Sequence, residues 1–200
     1  MQAKPKTNII NLAKKIKRIW EYLYAATIYV DIEDFLIFTG ATRSRVLLKN
    51  QVHEDLQISI QLGRHLKDLN SYSLSELCEL TEEISHFLHV VWHGINQKNT
   101  TIQRLEIAGE IDKFMVARWM TPMNSVEDID KLYIQMFESN KIKYLNEKYE
   151  SYSRQAASYL RKSKLVHAKP HICRKVLSRK LRAASPLSTR STEFLLLEVN

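Results

Sequence analysis

Glycine, proline and cysteine are all scarce in this 200-residue chain, which holds four, four and two of them. So few chain-breaking residues argue against a turn-rich all-β fold. Gly40, Gly63, Gly94 and Gly109 lie too far apart to build a dinucleotide fingerprint or a Walker loop. Cys78 and Cys173 match no metal or redox spacing, give no basis for a disulfide scaffold, and fit a reducing compartment. Neither cysteine has a catalytic context, and there is no Gly-x-Ser-x-Gly elbow to carry a nucleophilic serine.

Long apolar runs are missing too. A membrane-spanning helix needs roughly 20 apolar residues, and the best stretch, Tyr22 to Val30, is short and runs into Asp31, Glu33 and Asp34. Lys14, Lys15, Lys17 and Arg18 interrupt the place where a signal peptide would have its apolar segment. A mitochondrial presequence is the nearest look-alike, because Glu21 is the first acid. However, Arg18 and Thr7 are the only arginine and hydroxyl residue before it. The expected protein is soluble and cytoplasmic.

Acidic residues are absent from two long stretches. Residues 1–18 carry six Lys/Arg and residues 161–190 carry ten, with no Asp or Glu in either, leaving 14 basic against 22 acidic side chains between and beyond them. A body that leans acidic is flanked by basic segments, which describes the surface a partner meets without naming the partner.

What is present is a core. The chain is 44% hydrophobic with nine Tyr, six Phe and three Trp, enough for one domain. The expected division is a mainly helical globular part over 1–160 and a basic helix or tail over 161–200. Ile9, Leu12, Ile16, Ile19, Trp20 and Leu23 predict a helix from about Asn8 to Tyr24, with its lysines off the stripe. That face is either solvated or laid on an anionic surface. Asp31 to Phe38 reads as a short helix ended by Gly40. Arg45 to Leu48, then Leu56, Ile58, Ile60 and Leu62 alternating with polar residues, predict a hairpin near 45–62. Gly63 closes it, and Arg64 to Leu69 suits a helical turn.

The second half is helical. Ser73 with Glu76 forms a capping box ahead of Leu77, Leu80, Thr81, Ile84, Leu88, Val91 and Ile95. Thr100 with Gln103 opens a second helix that stops before Pro122, and Ser125 with Asp128 opens a short third one to Phe137. A polar helix is expected from about Lys141 to Lys162, carrying Tyr144, Tyr149, Tyr152 and Tyr159. Pro170 and Pro186 bracket a basic helix, and apolar Phe194 to Val199 is expected to dock back. The fold class is α+β, mostly α: a short hairpin packed on a helical bundle whose central antiparallel pair spans 73–97 and 100–120.

One constellation suggests metal chemistry. At about 100° per residue, Glu82, His86, His89 and His93 share a sector opposite the apolar stripe, with Glu79 alongside. Glu83-Ile-Ser-His86 has the Glu-x-x-His spacing of di-iron bundles, but the next helix answers with Glu106, Glu110, Asp112 and Lys113 and no histidine. Glu79-Leu-Thr-Glu82 has the Glu-x-x-Glu spacing of all-helical nucleotide pyrophosphohydrolases. The next helix, with Glu106, Glu110 and Asp112, lacks their Glu-x-x-Asp, so the likeness stops at spacing. The candidate ligands are Glu82, Glu83, His86, His89 and Glu110; the competing reading is a solvated helix face. The loop Thr39 to Arg45, with two arginines, is a lesser anion candidate.

The strongest physical signal is the basic stretch holding Arg161, Lys162, Lys164, Lys169, Arg174, Lys175, Arg179, Lys180 and Arg182. Cations without competing carboxylates suit counterion release from phosphates, while the lack of aromatics between Lys162 and Arg190 argues against base stacking. The expected function is a small non-enzymatic binding or regulatory protein. It would engage RNA, DNA or an acidic protein through Arg174, Lys175, Arg179, Lys180 and Arg182. No cofactor is expected. The alternatives are a metal-dependent helical hydrolase or oxidase using the Glu/His cluster, and a module on a membrane surface.

Overall fold

The apolar stripe from Ile9 to Leu23 becomes helix α1, Thr7–Tyr24, in a computed structural model that describes residues 7–39, 41–49, 57–68, 71–139 and 147–183. Ile9, Ile16, Trp20 and Leu23 are fully buried, and Lys15 and Arg18 stay exposed. A 3-10 turn, Ile32–Phe35, leads into strand β1, Leu36–Phe38. Strands β2, Arg45–Lys49, and β3, Gln57–Leu62, follow, then a second 3-10 turn, Arg64–Asp68.

The hairpin forms as an antiparallel β2–β3 pair, with Val46 opposite Ile60 and Leu48 opposite Ile58. Ile60 and Leu62 face the core and Gln57 is exposed, as the alternation requires, but Gln61 departs from it and is buried, where it bonds Thr39 and Arg45. Leu56 and the connection from Asn50 lie outside the described residues. The helix expected over Asp31–Phe38 is a correction: its second half is an edge strand. β1 runs parallel to β3, Leu36 against Ile60 and Phe38 against Leu62, in the order β1-β3-β2. Three residues are too few to display a strand period, and the pairing that makes them a strand is remote in sequence.

Helices α2, Leu74–Ile95, and α3, Ile102–Met120, are the central pair. The Ser73 capping box is closed in both directions. The N-cap of α3 is Thr101 rather than Thr100; its hydroxyl accepts from the Arg104 N–H. Ser125 caps α4, Val126–Phe137, with Asp128 reciprocating. Helix α5, Glu147–Lys162, packs on α3, and α6, Pro170–Arg182, packs on α1. The start of α5 expected at Lys141, Tyr144, and everything after Ala183, including Phe194 to Val199, lie outside the described residues.

One core runs through these elements, and α6 contributes to it. Cys173, Leu177 and Leu181 are buried in the same cluster as Trp20, Ile60, Phe87 and Phe114. Among the described residues no helix is long and apolar enough to cross a membrane.

Candidate metal centre

From Leu77 to His93 no residue of helix α2 is exposed. The sheet covers one side, and α1 and α3 cover others. Its polar sector is therefore buried against neighbours, and each member has found a different one. Glu79 accepts from the Ser44 N–H at 3.0 Å and its hydroxyl at 2.6 Å, and its other oxygen lies 2.8 Å from His65 Nε2. It fastens the sheet to α2. His89 and His93 turn toward the aromatic side of the core. Nε2 of His89 is 3.2 Å from Asp112 Oδ2, and Nδ1 of His93 is 2.7 Å from the His89 carbonyl. Asp112 also accepts from the Tyr24 and Ser85 hydroxyls at 2.8 and 2.5 Å. That buried network shares no hydrogen bond with the residues that follow, although His89 and Asp112 act on His86 through charge.

Glu82 and His86 stand one turn apart on α2, and Glu106 faces them from α3. Each offers a ligand atom, and the three atoms lie within 4.8 Å of one another. His86 Nε2 is buried without a hydrogen-bond partner. It lies 3.9 Å from Glu106 Oε2, too long for a hydrogen bond. Metal bonds of about 2.0–2.2 Å place neighbouring ligands roughly 3 Å apart, so modest rotamer changes close the set on one ion. Gly109 makes the approach possible: a Cβ there would stand 3.0 Å from His86 Nε2. Glycine inside a helix costs about 1 kcal/mol relative to alanine, and here it leaves room for the imidazole against α3.

A second cluster adjoins the first and shares Glu82. Lys113 Nζ lies 3.0 Å from Glu82 Oε2 and 2.6 Å from Glu110 Oε1, and Ser153 on α5 hydrogen-bonds the Glu110 carboxylate. The Lys113 side chain is 12% exposed and that of Glu82 28%, so the opening to solvent lies on the Glu82 side.

The site buries more carboxyl groups than its cations can balance. Burial, with Glu82 and Glu106 nearby, pushes the Glu83 carboxyl up to about 8, although a Val46 backbone hydrogen bond opposes it. Burial and Glu82 push Glu106 up to about 7 against the pull of Lys113. Burial also raises Glu110, again against Lys113. Glu82 goes the other way: burial opposes its charge, but Lys113 and His86 outweigh it and hold it below the ordinary range. Burial works against the Lys113 charge as well, but Glu82 and Glu110 overcome it and hold the ammonium well above its usual range. Burial lowers His86, favouring the neutral imidazole that a metal requires. Cys78, one turn before Glu82, is pushed up to about 12 by burial and stays a thiol.

Of the candidate ligands from sequence, Glu82 and His86 meet, while Glu110 joins them through Lys113. Glu83 is coupled to the set by charge, and His89 belongs to Asp112. Glu106 and Lys113 complete the arrangement. Glu106, Glu110 and Lys113 fall at i, i+4 and i+7 on one face of α3, the spacing that could have selected them.

The basic candidates on α6, Arg174, Lys175, Arg179, Lys180 and Arg182, are all exposed. Three of them also bind neighbours. The Arg174 guanidinium lies 5.2 Å from the Tyr22 ring centroid, and the Lys180 ammonium 3.7 Å from that of Tyr159. Arg182 reaches the Ala25 carbonyl at 3.5 Å. Burial makes the charged form of Lys180 less favourable, with Asp112 opposing that shift. In the Thr39–Arg45 loop, Gln61 bonds both Thr39 and Arg45, and Ser44 is spent on Glu79.

Comparison with protein families, curated proteins and solved structures finds no match.

Proposed function

We propose that this is a metal-dependent helical protein whose α2–α3 pair holds one divalent ion through Glu82, His86 and Glu106 and uses it for hydrolysis. The observation that carries the reading is His86 Nε2, buried, unpartnered and facing Glu106. A buried polar atom without a partner is costly, and an ion would satisfy it while neutralising carboxylates that burial now disfavours. Two carboxylates and one imidazole suit Mn²⁺, Fe²⁺ or Zn²⁺. Three protein ligands would leave positions for water and substrate, and an ion held there would supply Lewis acidity for hydrolysis. The test is metal analysis and calorimetric titration with Mn²⁺ and Zn²⁺ after chelation. One ion per chain is expected, with binding reduced at least about tenfold in His86→Ala and Glu106→Gln. A wild-type protein that takes up neither ion at millimolar concentration would end this reading.

A second reading keeps the anionic partner, on the observation that α6 packs on α1. That packing brings the basic runs of both chain ends onto neighbouring helices, with Lys15, Arg18, Lys175 and Arg179 exposed. If the partner is a nucleic acid, affinity for a mixed-sequence oligonucleotide should fall steeply with salt, and Lys175→Gln with Arg179→Gln should flatten that slope. Absence of binding at about 50 mM salt, a permissive condition for phosphate contacts, would remove nucleic acid. An acidic protein or a membrane surface would remain.

A further inference from the structure

We propose that Lys113 stands in for a second metal ion. It would make the centre mononuclear by construction, and its removal would open a second cation position between Glu82 and Glu110. The inference rests on the metal reading above. Two-metal centres place their ions about 3.5–4 Å apart, and in helical bundles carboxylates from facing helices supply the ligands. This chain has that arrangement of acids. Glu82 belongs to the ligand set with His86 and Glu106 and also contacts Lys113. A carboxylate with two oxygens can serve both positions at once. On the far side of Lys113 Nζ stands Glu110 at 2.6 Å, held in turn by Ser153.

The ammonium therefore occupies the place where a second ion would share Glu82 and take Glu110 as a terminal ligand. It is a compact point charge, largely buried at 12% exposure and held by carboxylates from both helices of the pair. An ion reaching the first position finds Glu82 already partly neutralised, and a second ion would meet a fixed positive charge. Lys113 thus sets the number of ions and weakens the field of Glu82 toward the one that binds.

The experiment compares wild type with Lys113→Ser after chelation and reloading with Mn²⁺, counting ions per chain by native mass spectrometry and recording electron paramagnetic resonance. Wild type should hold one ion with the signal of an isolated Mn²⁺. Lys113→Ser should hold two with an exchange-coupled signal, and Lys113→Arg, which keeps the charge, should hold one. Where the serine variant does not fold in chelator, it is refolded in Mn²⁺, and Lys113→Gln, which keeps a hydrogen-bond donor without the charge, serves as the parallel case. One ion in both neutral variants overturns the inference, as do two ions in wild type, and either result leaves the metal reading standing. No ion in wild type overturns that reading itself.

Discussion

Glu83 and Glu106 govern how the protein should respond to pH. Both carboxyls are raised in the folded chain, to about 8 and about 7. A raised acid stabilises the fold fully below its unfolded value, and the contribution is lost as pH climbs through the folded value. Glu82 is shifted downward and its contribution is complete below pH 6, while His86 and His93, also shifted downward, add stability up to the ordinary histidine range and offset part of that loss just above pH 6. Between pH 6 and pH 8.5 the metal-free protein should therefore lose stability. Each pH unit per proton is worth up to about 1.4 kcal/mol, and in a chain of this size about 2–4 °C of melting temperature accompanies each kcal/mol. A fall of several degrees is expected in chelator. In saturating Mn²⁺ the fall should shrink or reverse, because binding requires deprotonated ligands and strengthens as pH rises. Thermal melts at the two pH values, with and without metal, check this. A flat profile in chelator would show that the buried acids do not retain protons.

At the scale of elements, three helices end without the expected glycine. Ala25, Gln97 and Lys164 follow α1, α2 and α5 at φ of 47°, 49° and 55°. The bonds around them have the Schellman pattern: Ala26 N–H to Glu21 O, Lys98 N–H to His93 O, and Leu165 N–H to Leu160 O. A residue with a Cβ pays roughly 1–2 kcal/mol for this conformation. Glycine would remove that strain and add back about half of it as chain entropy in the unfolded state. Ala25→Gly and Lys164→Gly should each stabilise the protein by about 0.5–1 kcal/mol in urea titrations. Loss of stability in both would mean these termini are held by something other than the backbone.

The same elements show what the chain made legible. Ser73 and Ser125 announced their helices because a cap is local chemistry, readable from four residues. β1 was hidden because its strand character depends on β3, more than twenty positions away. The polar sector of α2 was readable as a set of residue types. Its burial was not, because that depends on α1, the sheet and α3 enclosing the helix together. The pairing of His86 with Glu106, and the space at Gly109, depend on the register between two helices, which no periodicity encodes.

For the whole molecule, helix α6 sends Cys173, Leu177 and Leu181 into the common core. Leu177 has no exposed surface, so Leu177→Ala should cost about 2–5 kcal/mol. Arg179→Gln, on the exposed side of the same helix, should stay within about 0.5 kcal/mol. Equilibrium unfolding of the two variants separates them, and a near-neutral Leu177→Ala would show that α6 is dispensable to the core. The packing of α6 on α1 also has a consequence in time. The first of the described helices finishes its packing against the last of them. Until residue 182 has left the ribosome, the face of α1 that receives α6 has no cover, and a contact spanning nearly the whole chain is the slowest kind to form. The apolar face of α1 that receives α6 thus stays uncovered while the elements between them are made. That is the condition under which chaperones act and aggregation competes with folding.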